Sequence, residues 1–131
     1  MTNSRVAVTS DKAPKPYTFL SQAIVSGGHI FCSGQVGTDP ETGNLVEGTI
    51  QDRTTDPDKH PGGARRCRGD SGDVVKVNIY LADMSQFAEV NAVYETFFES
   101  PRPARTCVSV KGLPYGTDVE MECVANAVVK A

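Results

Sequence analysis

The sequence predicts a single domain of the α+β class, spanning residues 1–131, and three observations support this prediction. The chain has 131 residues, which is enough for one hydrophobic core and short for two. Several segments alternate apolar and polar side chains with the period of two that is typical of half-buried strands. One segment, 87–98, repeats apolar residues at spacings of three and four, which indicates an amphipathic helix.

The first half of the chain predicts three strands. Arg5 to Val8 indicates a short first strand. Ser21 to Val25 and Ile30 to Gln35 predict a hairpin, because two adjacent glycines between them can adopt positive φ in a tight turn. Gly34 interrupts the third strand, which indicates a β-bulge or the close approach of another group to the backbone.

The next elements are a strand and a helix. Val74 to Leu81 predicts a strand in which the odd-numbered positions 75–81 share one face. Asp83 or Ser85 can cap the helix that follows. Asn91 lies on or beside the apolar stripe of that helix, where an unpaired amide would cost about 1–3 kcal/mol. We therefore expect Asn91 to have a structural role, with its amide hydrogen-bonded to a loop backbone.

The last two alternating segments, 105–110 and 119–126, predict an antiparallel hairpin with a long loop, since the connection contains two glycines and a proline. If their apolar faces meet one core, the opposite face carries Arg105, Cys107, Glu120 and Glu122. A guanidinium opposite a carboxylate forms either a cross-strand ion pair or a binding site for a small anion. The pattern leaves both interpretations open.

Composition excludes several classes of function. A net charge of −3 gives no general electrostatic reason to bind nucleic acid. Four cysteines without Cys-x-x-Cys spacing and two histidines predict reduced thiols and no metal site. No apolar stretch is long enough to span a membrane, and the N-terminus lacks a targeting pattern. We expect a cytoplasmic protein, with a mitochondrial form left open.

Six separated segments, in order, resemble motifs of one family: 21–24, 31–35, 39–43, 73–77, 90–98 and 103–108. The family is the reactive intermediate deaminases (RidA/YjgF/UK114), also called the endoribonuclease L-PSP family, and the resemblance extends from about Lys15 to the end of the chain. It implies a chorismate-mutase-like fold, in which a mixed sheet carries two helices on one face. It also implies a homotrimer, joined through the other face, with active sites in the clefts between subunits.

The resemblance implies hydrolysis of 2-imino acids, such as 2-iminobutanoate and 2-iminopropanoate, to 2-keto acids and ammonia without a metal or cofactor. Arg105 would bind the substrate carboxylate, and Glu120 would position and activate the attacking water. Ser33, Gly34 and Cys107 would line the pocket. A nucleophilic role for Cys107 is disfavoured, because no histidine neighbour is evident. The alternatives are an endoribonuclease that inhibits translation and a non-catalytic ligand-binding trimer.

Two features depart from the family pattern. Leu20 stands where family members commonly carry a tyrosine that closes the pocket, and Tyr17, three residues upstream, would reach the pocket only if the connector bends differently. The segment 55–72 replaces the first long helix and contains two prolines and a glycine pair, so we predict that it is irregular and exposed. It is either a genuine insertion or the product of a frame shift, since an alternative reading frame is compatible with an amphipathic helix.

Overall fold

A computed structural model describes residues 4–9, 17–39, 42, 44–54 and 73–127. Within these residues one mixed sheet has the strand order β1-β2-β3-β6-β4-β5. The strands are β1 (Val6–Val8), β2 (Ala23–Ser26), β3 (His29–Gln35), β4 (Val74–Leu81), β5 (Ala104–Ser109) and β6 (Val119–Asn126), and the helices are α1 (Ile50–Thr54) and α2 (Phe87–Tyr94). The α+β class is confirmed. The predicted irregular segment 55–72 lies outside the described residues.

The hairpin predicted from the paired glycines is present. Strands β2 and β3 are antiparallel, and the turn between them places Gly27 and Gly28 at φ values of 59° and 79°. The pairing of β3 with β6 shifts register between Cys32 and Gln35, so the bulge predicted at Gly34 is also confirmed.

The hairpin predicted for the last two strands is wrong. Strand β6 lies between β3 and β4 and is antiparallel to both, while β5 is parallel to β4 at the edge of the sheet. The inward side chains of β6 are at most 4% exposed, which explains why this strand occupies a central position. Strand β5 buries less of its surface and lies at the edge.

The core lies between one face of the sheet and the two helices. Its most buried apolar members include Ile50, Val77, Ile79, Leu81, Val90, Val119 and Met121. Residues Phe97 and Phe98 also join the core, although α2 ends earlier than predicted, at Tyr94. Asp83 accepts a hydrogen bond from the Ser85 backbone N–H at 2.9 Å, which confirms the predicted cap at the 3₁₀ turn that precedes α2.

The faces predicted for β5 are also wrong. Arg105 pairs with Val77 and Cys107 pairs with Ile79, and both partners are core residues, so Arg105 and Cys107 point toward the helices. Val108 points to the helix-free face and is 42% exposed. The parallel pairing with β4, which the local alternation of β5 does not encode, sets these directions.

Three further expectations can be compared with the described residues. A register shift between Val74 and Lys76 turns Val75 outward, so Val75 does not share the buried face of β4. Cys123 is disulfide-bonded, which contradicts the expectation of reduced thiols for this residue. In the part of the chain described, no helix is both long and apolar enough to cross a membrane.

Candidate functional site

Glu120 lies directly against the bulge of β3. A Cβ atom added to Gly34 would stand 2.1 Å from Oε1 of Glu120, so the carboxylate occupies the space that the missing side chain leaves open. Both interpretations of Gly34 are therefore confirmed, because a bulge lies at this position and the Glu120 side chain approaches the backbone there. The fold therefore places two of the candidate site residues, Gly34 and Glu120, next to each other.

The surroundings of Glu120 stabilise the protonated form of its carboxyl, relative to the same group in water. Burial raises the pKa of the Glu120 carboxyl, and the negative charge of Glu122 raises it further. Glu122 itself accepts a short hydrogen bond from the hydroxyl of Tyr80 on β4. A raised pKa brings the proton exchange of a carboxyl closer to neutral pH, which favours general acid-base catalysis.

An open pocket of about 460 Å³ lies on the helix-free face, and its lining includes Ser33, which directly precedes Gly34, together with Leu20, Ile24 and Phe31. Ser33 donates a hydrogen bond to the backbone carbonyl of Ser21 at 2.5 Å, which fixes its hydroxyl in the pocket wall. Leu20 contributes an apolar side chain to this wall, at the position where family members commonly carry a tyrosine. We call Leu20, Ser33, Gly34 and Glu120 the glutamate half-site.

Tyr17 lies outside the lining of this pocket and is 52% exposed. Its ring stacks on Phe19, with the two ring centroids 5.2 Å apart and the planes within 5° of parallel. Because Phe19 lines the pocket, Tyr17 reaches it only indirectly. The predicted contact of Tyr17 with substrate stays a prediction.

Arg105 is held by three side chains of α2. Its guanidinium carbon lies 4.8 Å from the ring centroid of Tyr94 and 5.4 Å from that of Phe87. Its Nη1 donates a hydrogen bond of 2.6 Å to Oδ1 of Asn91. Since a guanidinium has five N–H donors in a fixed plane, a group held this way can still fork onto a carboxylate.

Asn91 therefore has a different contact from the one predicted. Its amide oxygen accepts from Arg105, and its Nδ2 donates to Oε1 of Glu95 at 3.2 Å, so it binds side chains and not a loop backbone. Asn91 still has a structural role, which is to orient the guanidinium of Arg105. The helical spacing of Phe87, Asn91 and Tyr94 places all three on one side of α2 and predicts their proximity, although not their common partner.

Cys107 lies on the same face as Arg105, two residues along the edge strand. Burial raises the pKa of its thiol, and the nearby charge of Arg105 opposes this only in part. A thiol with a raised pKa is a poor nucleophile at neutral pH. This chemistry agrees with pocket lining and not with nucleophilic catalysis. We call Phe87, Asn91, Tyr94, Arg105 and Cys107 the arginine half-site.

The two half-sites lie on opposite faces of the sheet. Glu120 alternates with buried Val119 and Met121, so it points away from the helices, whereas Arg105 contacts α2. The prediction that Arg105, Cys107 and Glu120 share one face of the sheet is therefore wrong. Within a single chain, the predicted carboxylate-binding and water-activating residues are not brought together.

A mixed sheet with helices on one face is the architecture implied by the resemblance to the reactive intermediate deaminases. The sequence profile described as Endoribonuclease L-PSP matches residues 10–127, and the chain belongs to this family. It is 41% identical to a RutC family protein of Pyrococcus abyssi, over 93% of this chain and 97% of the relative.

Two further relatives have informative names. The chain is 38% identical to the 2-iminobutanoate/2-iminopropanoate deaminase of Mus musculus, over 92% of this chain and 90% of the relative. The crystal structure of RidA from an Antarctic Psychrobacter bacterium superposes with a TM-score of 0.79 at 34% identity, covering 93% of this chain and 99% of that one.

Proposed function

We propose that this protein hydrolyses reactive 2-imino acids to 2-keto acids and ammonia, and that its active site is assembled from two subunits. The names of relatives at 36–39% identity support the reaction. The observation that carries the residue assignment is the placement of Arg105 and Glu120: each is held in a fixed environment, yet the two lie on opposite faces of one sheet.

The arginine half-site would bind the substrate carboxylate. The rings of Phe87 and Tyr94 and the amide of Asn91 fix the guanidinium plane before substrate arrives, which lowers the entropy lost on binding. A forked pair of N–H donors from Arg105 matches the two oxygens of a carboxylate. Cys107 would contact the same end of the substrate.

The glutamate half-site would carry out the hydrolysis. Glu120, in its ionised form, accepts a proton from a water molecule that attacks C2 of the imine. The carboxyl then returns this proton to nitrogen, which gives a carbinolamine. Glu120 next accepts the proton of the carbinolamine hydroxyl and passes it to nitrogen, so that the C–N bond breaks, the C=O bond forms, and ammonia and a 2-keto acid are released. The raised pKa of Glu120 brings this exchange closer to neutral pH. Ser33 and Leu20 would enclose the substrate side chain.

A second copy of the chain would bring the two half-sites together. Strand β5, which carries Arg105, is an edge strand of the described sheet, so a neighbouring subunit can approach it. The helix-free face exposes apolar side chains, with Phe31 48% and Val108 42% exposed, and burial of such surface stabilises subunit contacts. We propose a cyclic homotrimer, in which each cleft contains one half-site from each of two neighbours.

The direct test is release of ammonia and keto acid from enzymatically generated 2-iminopropanoate. We expect Arg105→Ala to lower kcat/KM by roughly 100-fold or more, because it removes a charge-assisted bidentate contact worth about 3 kcal/mol. Equal rates for the wild type and Arg105→Ala would remove Arg105 from the mechanism. RNA degradation that persists in Arg105→Ala and at high salt would instead favour the ribonuclease alternative.

A further inference from the structure

Arg53, near the end of α1, contacts three residues in two separate segments through one guanidinium. Its Nε and Nη2 donate to the two carboxylate oxygens of Asp118 at 2.7 and 2.6 Å. Its Nη1 donates to the backbone carbonyls of Val46 and Gly48, each at 3.0 Å. The side chains of Arg53 and Asp118 are only 16% and 22% exposed. We call these four residues the Arg53 clamp.

The clamp lies where β3 ends and β6 begins. A Cβ atom on Gly37, which has a φ of +78°, would stand 3.0 Å from both Cβ and the carbonyl oxygen of Arg53, so α1 packs directly on the segment that leaves β3. The backbone N–H of Val46 donates to the carbonyl of Gly37 at 2.9 Å. Asp118 immediately precedes β6, and Thr117 beside it donates to the carbonyl of Val36.

These contacts flank the glutamate half-site. Gly34 precedes Gly37 by three residues, and Glu120 follows Asp118 by two. Past the bulge, the two strands are in register at the pair Gln35 and Met121. The position of Glu120 over Gly34 therefore depends on how the end of β3 and the start of β6 are held together.

We infer that Arg53 is a positioning residue for the hydrolytic reaction, which fixes the start of β6 so that the Glu120 carboxylate stays over Gly34. This inference rests on the function proposed above. Arg53 does not touch the substrate, and it acts through Asp118 and the backbone.

The geometry requires an arginine. The clamp uses three guanidinium nitrogens that point in different directions within one plane, and it satisfies two carboxylate oxygens and two carbonyls at once. A lysine ammonium is a single point donor and cannot fork onto Asp118 while it also binds Val46 and Gly48. Arg53→Lys is therefore expected to behave like Arg53→Gln and not like the wild type.

The test compares Arg53→Gln, Asp118→Asn and a control, Lys111→Gln, which removes a cation from an exposed loop. With 2-iminopropanoate as substrate, we expect Arg53→Gln to lower kcat about ten-fold, because a displacement of about 1 Å at a catalytic group costs up to about 100-fold. KM should stay within about two-fold, since the arginine half-site is not disturbed. The control should match the wild type in both constants.

The pH profile distinguishes a displaced carboxylate from a smaller folded fraction, because partial unfolding lowers kcat without moving the profile. Glu120, beside Glu122 and facing Tyr80, has a pKa raised first by burial. When the clamp is lost, more water reaches Glu120 and its pKa falls. The acidic limb of kcat should therefore move to lower pH in Arg53→Gln and in Asp118→Asn.

Hydrogen exchange measures the same effect without catalysis. We expect faster amide exchange in peptides covering 117–122 of Arg53→Gln, with exchange in the β2–β3 hairpin unchanged. If wild-type protein does not hydrolyse the imine, the proposed function fails, and the exchange measurement alone decides the role of the clamp.

Unchanged kcat, pH profile and exchange in a folded Arg53→Gln protein would overturn the inference. If Arg53→Gln does not fold, Asp118→Asn carries the test. If kcat, KM and the pH profile of Asp118→Asn all equal those of the wild type, the positioning role is contradicted.

Discussion

Substitution of Gly34 by alanine tests the placement of the Glu120 carboxylate, for which we propose a catalytic role. The new Cβ would stand 2.1 Å from Oε1, 2.9 Å from Cδ and 3.2 Å from Cγ of Glu120. Ordinary contacts to a Cβ begin at 3.4 Å, so the carboxylate must move by about 1.3 Å. Because the obstructing atoms belong to the end of a flexible side chain, the backbone can keep its course and the protein should fold.

A displacement of this size predicts a large effect on rate. A misplacement of about 1 Å costs about 100-fold, so we expect kcat of Gly34→Ala to fall roughly 100-fold while KM changes little. The assay is keto-acid release from 2-iminopropanoate, with the melting temperature measured to verify folding. Gly112→Ala is the matched control, since a Cβ there would meet no atom within 4 Å.

Two results would refute this reasoning. A kcat in Gly34→Ala equal to that of the wild type would show that Glu120 does not need to lie over Gly34. A raised KM with unchanged kcat would show that this position contributes to binding and not to hydrolysis.

Two further predictions concern pH. Glu120 must be ionised to accept a proton from water, and its pKa is raised. The kcat of the wild type should therefore fall with decreasing pH around a midpoint above about 4.3, the ordinary pKa of Glu. A midpoint at or below that value would contradict this role. The hydrogen bonds from Arg53 lower the pKa of Asp118, so its contribution to stability is present above about pH 3.9 and is lost as pH falls through the lowered pKa. The difference in melting temperature between the wild type and Asp118→Asn should therefore be larger at pH 7 than at pH 2.5, and a constant difference would contradict the ion pair.

Local signals in the sequence predicted much of the fold. The adjacent glycines gave the correct β2–β3 hairpin, and the break at Gly34 gave the bulge, because both depend on backbone conformation at one place. Strand β4 and the start of α2 also follow from local apolar periodicity. For β4 and α2, the spacing of apolar residues along the chain is enough to predict the element.

The errors arise from contacts between distant segments. The central position of β6 and the parallel pairing of β5 with β4 depend on partners about 30 to 90 residues away in the chain, which periodicity does not specify. Thr106 and Val108 alternate like core residues but face away from the helices. The face of Arg105 follows from that pairing and from the aromatic rings of α2, so its side of the sheet was predicted incorrectly, whereas that of Glu120 was predicted correctly.

The resemblance to the family supplied roles that no local pattern identifies. The alternation of side chains pointed to Arg105 and Glu120 as an ion pair or a small-anion site, and the resemblance alone assigned carboxylate binding to one and water activation to the other. The position of Glu120 over Gly34 agrees with a site there. Arg53 lies just before the segment 55–72 and belongs to no sequence motif that indicates a function. Its role depends on Asp118, 65 residues further along the chain, and only the three-dimensional arrangement brings the two together.

We propose that Arg105 of one subunit and Glu120 of another act on the same substrate molecule. Arg105→Ala and Glu120→Gln proteins, each inactive alone, can be unfolded together, refolded as mixed oligomers and assayed for keto-acid release. Random mixing into cyclic trimers places both intact residues in about a quarter of the clefts, so about a quarter of wild-type activity should return. Mixed oligomers that stay as inactive as the separate variants would contradict the shared site.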